Sequence, residues 1–338
     1  MAAGDVESFG KDADGKTVER VTLAGSALRA SVISWGASVQ QLWLEGHDSP
    51  LTLGFERIED YLAHPLFYGA TVGRYANRIA QGRFTIDGER FQVDTNEPSG
   101  NTLHGGGTGI WRRNWRVAEA GPDFVTLTLR DPDGAMGFPG NLDISCTYRL
   151  ARPATLAIEM TAVTDAPTPC NLAHHSWFNL DDGGAGDVRD HRLRIAAAAY
   201  LPVDSGLIPT GHVVPVDGTP FDFRQARTIR NGEGTAYDHN FCLAAARRQL
   251  AQAAWVQGAR SGVEMEVWST EPGLQFFDGD APAPEAAGLG GIRYRRHAAI
   301  CLEPQIWPDS PNRPYFPQAV LRPGETYRQV TEYRFRQA

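Results

Sequence analysis

Four short stretches set ionisable groups among glycines, aromatics and apolar residues: GRYANRI at 73–79, NTLHGG at 101–106, AHHSWFNL at 173–180 and AICLEPQIW at 299–307. Each has an ordinary reading. Arg74 and Arg78 read as surface arginines, His104 as a turn residue before a glycine-rich loop, and His174 and His175 as one core and one surface imidazole. Glu303 is harder to pass over, because AICLE is an apolar run ending in a carboxylate, and a buried carboxylate needs a partner or a task. A structural ion pair and a catalytic role fit it equally. Gln275 in EPGLQFF and Asp238 in YDHNF stand among apolar residues with the same ambiguity. In an extended strand, neighbouring side chains point to opposite faces, so only one of His174 and His175 readily faces any given cavity.

Several other chemistries lack their residues. There is no GxSxG elbow, no Walker loop, no strand-linked GxGxxG and no HExxH helix. The glycine-rich LHGGGTGIW lacks the lysine and following helix of a phosphate cradle. A metal site built from His104, His175 and Glu303 would lack the HxH pair with a following carboxylate that such sites favour. Forty acidic against 32 basic residues give a formal charge of −8, whose field repels phosphate backbones and anionic membranes. The four cysteines lie far apart without a CxxC pair and read as free thiols of a reducing compartment. An acidic amino terminus without a secretory pattern, and no run of about 18 apolar residues, predict a cytoplasmic protein with neither nucleic-acid nor membrane partners.

The elements that must position these groups read as strands. VERVTLAG, LRASVISWG, FVTLTLRD, ATLAIEMTAV and GVEMEVWST alternate with period two between Gly, Pro, Asn and Asp. Asp87-Gly88 between RFTI and ERFQV predicts a tight hairpin over 83–93. Helical signals are few: ERIEDYLAH at 56–64, and CLAAARRQLAQAAW at 242–255, which has good helix formers but no convincing helical period. No linker, low-complexity tract or fixed repeat divides the chain. The expectation is an all-β fold, a single antiparallel β-sandwich domain over residues 1–338, with polar side chains from several strands meeting on one concave face.

Taken together, the segments resemble the aldose 1-epimerase, or galactose mutarotase, family. The resemblance runs in order through GFERIEDYL, GATVGRYANRIAQGRFTIDG, NEPSGNTLHGGGTGIWRRNW, HSWFNL, VDSGLIPTG, GTPFDFR, YDHNF, EPGLQFF and LEPQIWPDSPNRPYFPQAVLRPGETY. It implies a β-sandwich of large sheets with an open sugar cleft, and interconversion of the α and β anomers of free monosaccharides without a cofactor or metal. The family's catalytic carboxylate falls on Glu303, its principal histidine on His175 and the histidine of its LHGG motif on His104. Its substrate-binding positions fall on Arg78, Asn77, Asp238 and Gln275. Three departures bear on sugar preference: His174 stands where Asn is common, Trp177 where Tyr is usual, and QFFDGD replaces the usual aromatic-x-Gly-Asn ending.

Ring opening needs a proton taken from the anomeric hydroxyl and one given to the ring oxygen. The resemblance assigns the first to Glu303 as carboxylate and the second to His175 as imidazolium, with the neighbouring carboxylate raising the charged fraction of His175. His104 would hold the ring oxygen, and Arg78 and Asp238 would grip hydroxyls away from C1. A phosphate-recognising relative would need a cationic cluster, for which RYRRH at 293–297, read as a strand with alternate residues on one face, is the available segment, although a solvated sheet edge is the better reading of it. A non-catalytic sugar-binding module is opposed by the retention of both Glu303 and His175. The sequence leaves open a monomer or a homodimer.

Overall fold

Alternation becomes burial along the predicted strands. Leu142–Ala151 and Thr155–Thr164 pair over their full length, with Leu142, Ile144, Cys146, Tyr148 and Leu150 turned inward and polar neighbours turned out. The computed structural model describes residues 4–337 apart from 231 and 233, so the first three residues of the acidic amino terminus lie outside it.

Three antiparallel sheets carry most of the strand residues of the described chain. A four-stranded sheet runs Val6–Lys11, Thr17–Gly25, Leu28–Ile33 and Ser38–Leu44. A nine-stranded sheet is ordered Arg116–Ala120, Phe124–Asp131, Leu142–Ala151, Thr155–Thr164, Tyr327–Arg336, Glu264–Ser269, Ala251–Gln257, Arg192–Ile195 and Arg227–Thr228. A six-stranded sheet is ordered Trp177–Phe178, Ile300–Gln305, Gly273–Phe277, Asp238–Cys242, Ala199–Tyr200 and Val214–Pro215. The nine- and six-stranded sheets face each other across the main core. Ile300, Leu302, Leu274, Phe276, Phe241 and Phe178 meet Tyr333, Phe335, Val267 and Ile158 there, each large apolar side chain contributing roughly 1.5–3 kcal/mol. Tyr333 donates across the gap to Leu302 O at 3.0 Å, and Gln329 Nε2 to Pro304 O at 2.9 Å, so these two buried side chains are satisfied within the core.

Local signals hold where turn chemistry decides. Arg83–Ile86 pairs with Glu89–Gln92 through Asp87 and Gly88, both at positive φ, +53° and +86°, as a tight hairpin turn demands. The single α-helix among the described residues, Ile58–Ala63, falls inside the predicted ERIEDYLAH.

Two expectations are corrected. The stretch 242–255 contains no helix: it joins the end of strand Asp238–Cys242 to strand Ala251–Gln257 through irregular chain. Ala253, Ala254 and Val256 are buried between Arg192–Ile195 and Glu264–Ser269, and that pairing outweighs the helix propensity of alanine. The RYRRH segment is loop and turn rather than a strand: Tyr294 is buried, and Arg296 is engaged with Asp280 at 2.7 Å, so the alternating strand face is not formed. All four cysteines are free thiols, three of them buried. No helix among the described residues is long and apolar enough to cross a membrane.

Candidate active site

The six-stranded sheet buries one face against the core and turns the other toward a cavity of about 390 Å³. With period two, Leu302 and Ile300 go inward while Glu303 goes to the cavity, and Leu274 and Phe276 go inward while Gln275 and Phe277 go outward. Gln275 lies directly opposite Glu303 in register, and Asp238 directly opposite Phe277. Three adjacent strands thus present Glu303, Gln275 and Asp238 side by side.

Two small two-stranded clips complete the site. Ala173–His175 pairs with Ala70–Val72, turning His175 to the cavity and His174 into the core. His174 is held there between Tyr148 and Tyr333, with Nε2 2.7 Å from Ser176 Oγ. Burial lowers its pKa to about 3, so it is a neutral scaffold residue on the opposite face, as strand alternation predicts. Arg78–Ile79 pairs with Thr102–Leu103, and the residues flanking this clip, Asn77 at φ +60° and His104 at φ +51°, bend both side chains into the cavity.

His104 Nδ1 accepts the backbone N–H of Asn77 at 3.1 Å, while His104 N–H donates to Asn77 O at 3.0 Å. The first bond assigns the tautomer: the ring proton sits on Nε2, making neutral His104 a hydrogen-bond donor. Burial, with His175 and Arg78 nearby, pushes its pKa well below the histidine range. His104, His175 and Glu303 offer atoms within 4.8 Å of one another, a spacing that by itself would suit a two-histidine, one-carboxylate metal site. The tautomer does not fit: a nitrogen that carries a proton has no lone pair for a cation.

His175 Nε2 lies 3.6 Å from Glu303 Oε2, with both side chains almost fully buried. Burial is the main reason that Glu303 holds its proton well above the usual carboxylate range; Asp238 adds to the shift and Arg78 opposes it. Burial also lowers the pKa of His175 to about 4, against the opposing charge of Asp238. The expectation that the neighbouring carboxylate raises the charged fraction of His175 is therefore corrected. A carboxyl that keeps its own proton has no charge to lend, and desolvation wins. Glu303 Oε2 has no hydrogen-bond partner among the described residues, a buried polar atom left for a ligand.

Arg78 is buried rather than on the surface. Burial works against its charge, but Asp238 and Glu97 outweigh that and raise its pKa. Arg74 is also buried, with a fully enclosed side chain bound to Asp131 at 2.8 Å, so its role is structural. Gln275 Nε2 donates to Asp238 Oδ1 at 2.6 Å, and Gln305 Nε2 reaches Gln275 Oε1 at 3.4 Å behind it.

A family model described as "Aldose 1-epimerase" matches residues 19–334. The chain belongs to the aldose 1-epimerase family. It is 42% identical to the galactose mutarotase of Mus musculus over 331 residues, 95% of each chain. It is 37% identical to the aldose 1-epimerase of Escherichia coli over 336 residues, 95% of this chain and 96% of that one. A solved aldose epimerase homologue from C. elegans superposes with a TM-score of 0.88 at 28% identity, covering 95% of this chain and 99% of its own.

All seven residues that family resemblance singles out in the sequence are brought together here: six line the cavity, and Gln275 braces Asp238 from the same sheet face. Sequence reasoning within the aldose 1-epimerase pattern missed Phe67, whose ring lies 4.7 Å from that of His104 and 5.5 Å from that of His175. It also missed Glu97, bound to Arg78, and Asp280 at the cavity wall. Phe67 lies in a loop whose local sequence carries no such signal, and Glu97 lies within the NEPSGNTLHGGGTGIWRRNW stretch, from which only His104 was drawn. Asp280 was visible only as part of the QFFDGD departure. Trp177 lines the cavity beside Phe277, while Asp278 turns away to accept the Tyr237 amide at 3.3 Å.

Proposed function

We propose that this chain interconverts the α and β anomers of free aldoses by ring opening, rotation about C1–C2 and reclosure. The observation that carries the reading is the buried Glu303–His175 pair, 3.6 Å apart at a cavity wall, two proton-exchanging groups facing one enclosed space. In the opening step the O1 proton passes to the Glu303 carboxylate, the C1–O5 bond breaks, and O5 takes the proton of the His175 imidazolium. This leaves an aldehyde, a C5 hydroxyl, a neutral carboxyl and a neutral imidazole. Rotation about C1–C2 presents the other face of the aldehyde, and the two transfers run backward.

The pair carries one exchangeable proton in two placements. Burial favours the neutral placement, which is the one that coexists with the open-chain aldehyde, so the ionised placement that starts the opening step is the costlier of the two and opening relieves it. His104, with its proton on Nε2, donates to the ring oxygen without competing as an acid. Arg78, Asn77, Asp238 and Gln275 bind or brace the hydroxyls remote from C1, so that the reacting atoms are held in place. No cofactor enters these steps. The same reading has the protein acting in the cytoplasm, as a monomer or homodimer, with free monosaccharide as its partner.

Polarimetry tests it. Wild-type protein is expected to speed the approach of freshly dissolved α-galactose or α-glucose to anomeric equilibrium. Glu303→Gln and His175→Asn are each expected to lower turnover by about 10²–10⁴ while circular dichroism stays native. Normal turnover in either variant overturns the assignment.

A further inference from the structure

The guanidinium of Arg78 is held from one edge by a residue that is not among those lining the cavity. Arg78 Nε donates to Glu97 Oε2 at 2.9 Å and Nη2 to Oε1 at 2.9 Å, a two-point grip on the edge facing away from Asp238. Glu97 is itself fixed in a tight turn, in which Gly100 N–H donates to Glu97 O at 2.9 Å and Glu97 N–H to Asn101 O at 3.3 Å.

On the other side, Arg78 Nη1 and Asp238 Oδ2 stand 3.6 Å apart. A free pair of these groups closes to about 2.7–2.9 Å. Here each partner is braced in the opposite direction, Arg78 by Glu97 and Asp238 by Gln275 at 2.6 Å. The result is a donor and an acceptor at the cavity wall whose bonding capacity is not spent on each other. A sugar hydroxyl, which accepts one hydrogen bond and donates another, is the group that satisfies both.

We propose that Glu97 is a positioning residue for sugar binding: it keeps Arg78 from collapsing onto Asp238 and so keeps their shared hydroxyl site open. Without the grip, the guanidinium swings to its other carboxylate partner, and the sugar must break an ion pair in order to bind. The cost falls on binding rather than on proton transfer, which belongs to Glu303 and His175. The inference rests on the mutarotase reading, and the wild-type enzyme keeps the two separable.

The experiment is polarimetric kinetics on Glu97→Gln and Glu97→Asp, each also combined with Arg78→Lys, using galactose and its 3-, 4- and 6-deoxy analogues. Loss of a charge-assisted grip is expected to raise KM about 10–100-fold, with kcat changed by less than about threefold. Glu97→Asp is expected to recover part of the loss. In the Arg78→Lys background, Glu97→Gln is expected to add less than about twofold, because the two residues act as one unit. One deoxy sugar, lacking the hydroxyl that bridges Arg78 and Asp238, is expected to be nearly insensitive to Glu97→Gln. An unchanged KM in Glu97→Gln, a fall in kcat alone, or full additivity with Arg78→Lys overturns the proposal. Absence of turnover in the wild type overturns the functional reading itself, and the proposal with it.

Discussion

Glu303 and His175 sit where their charged forms are disfavoured, and that sets the pH range in which one proton is shared between them. As pH falls toward the value of about 4 for His175, the pair gains a second proton; as pH rises through the elevated value of Glu303, it loses its last one. Activity is expected on the plateau between these limits, so its acid limb should lie well below the ordinary histidine range of about 6.5. Asp238→Asn removes a negative charge that helps both groups keep their protons. Both limbs of the kcat profile should therefore move to lower pH, and a profile that stays in place would contradict the charge assignment. Stability follows the same linkage. The folded pKa of Glu303 is raised above its unfolded value, so its contribution is fully present below the unfolded value and is lost as pH rises through the folded one. Glu303→Gln cannot ionise. As pH rises above the ordinary carboxylate range of about 4.3, thermal melts should show it gaining on the wild type while its turnover stays low.

The site is held at the level of elements by short clips. Gly105, at φ +81°, follows His104, and a Cβ there would lie 2.0 Å from Gly73 O and 2.5 Å from Arg74 N. Backbone at both contacts leaves nothing to yield. Gly105→Ala is expected to cost at least about 2 kcal/mol in urea denaturation, and about tenfold or more in turnover, because it displaces His104 from its bond to Asn77. An unchanged midpoint would mean that this turn is not rigid. The elements differ in how far their sequence reveals them. The Asp87-Gly88 hairpin is legible because the turn's φ demand is met by two adjacent residues. The non-helical course of 242–255 is not, because the burial of Ala253, Ala254 and Val256 depends on strands more than 50 residues away in Arg192–Ile195. The same holds for Arg74 and Arg78, whose carboxylate partners Asp131 and Glu97 come from separate parts of the chain.

One core joins residues from Val21 to Phe335 and takes side chains from all three large sheets. We therefore propose that the chain unfolds as one domain: calorimetry should give a single transition with equal van't Hoff and calorimetric enthalpies, and two separated transitions would divide it. At this scale, the sequence by itself determined the class of fold, since period-two alternation and turn residues act locally. It also determined that only one of His174 and His175 faces the cavity, since neighbours in a strand must diverge, and the motif resemblance picked out His175. Motif order further identified the seven residues that gather at the site. The tertiary structure alone decided their protonation, because desolvation is a property of the enclosure and not of the residue. It also decided that His104 presents a proton and that Arg78 stands apart from Asp238. Those last two facts depend on an amide at Asn77 and a carboxylate at Glu97 that only the folded chain brings within bonding distance.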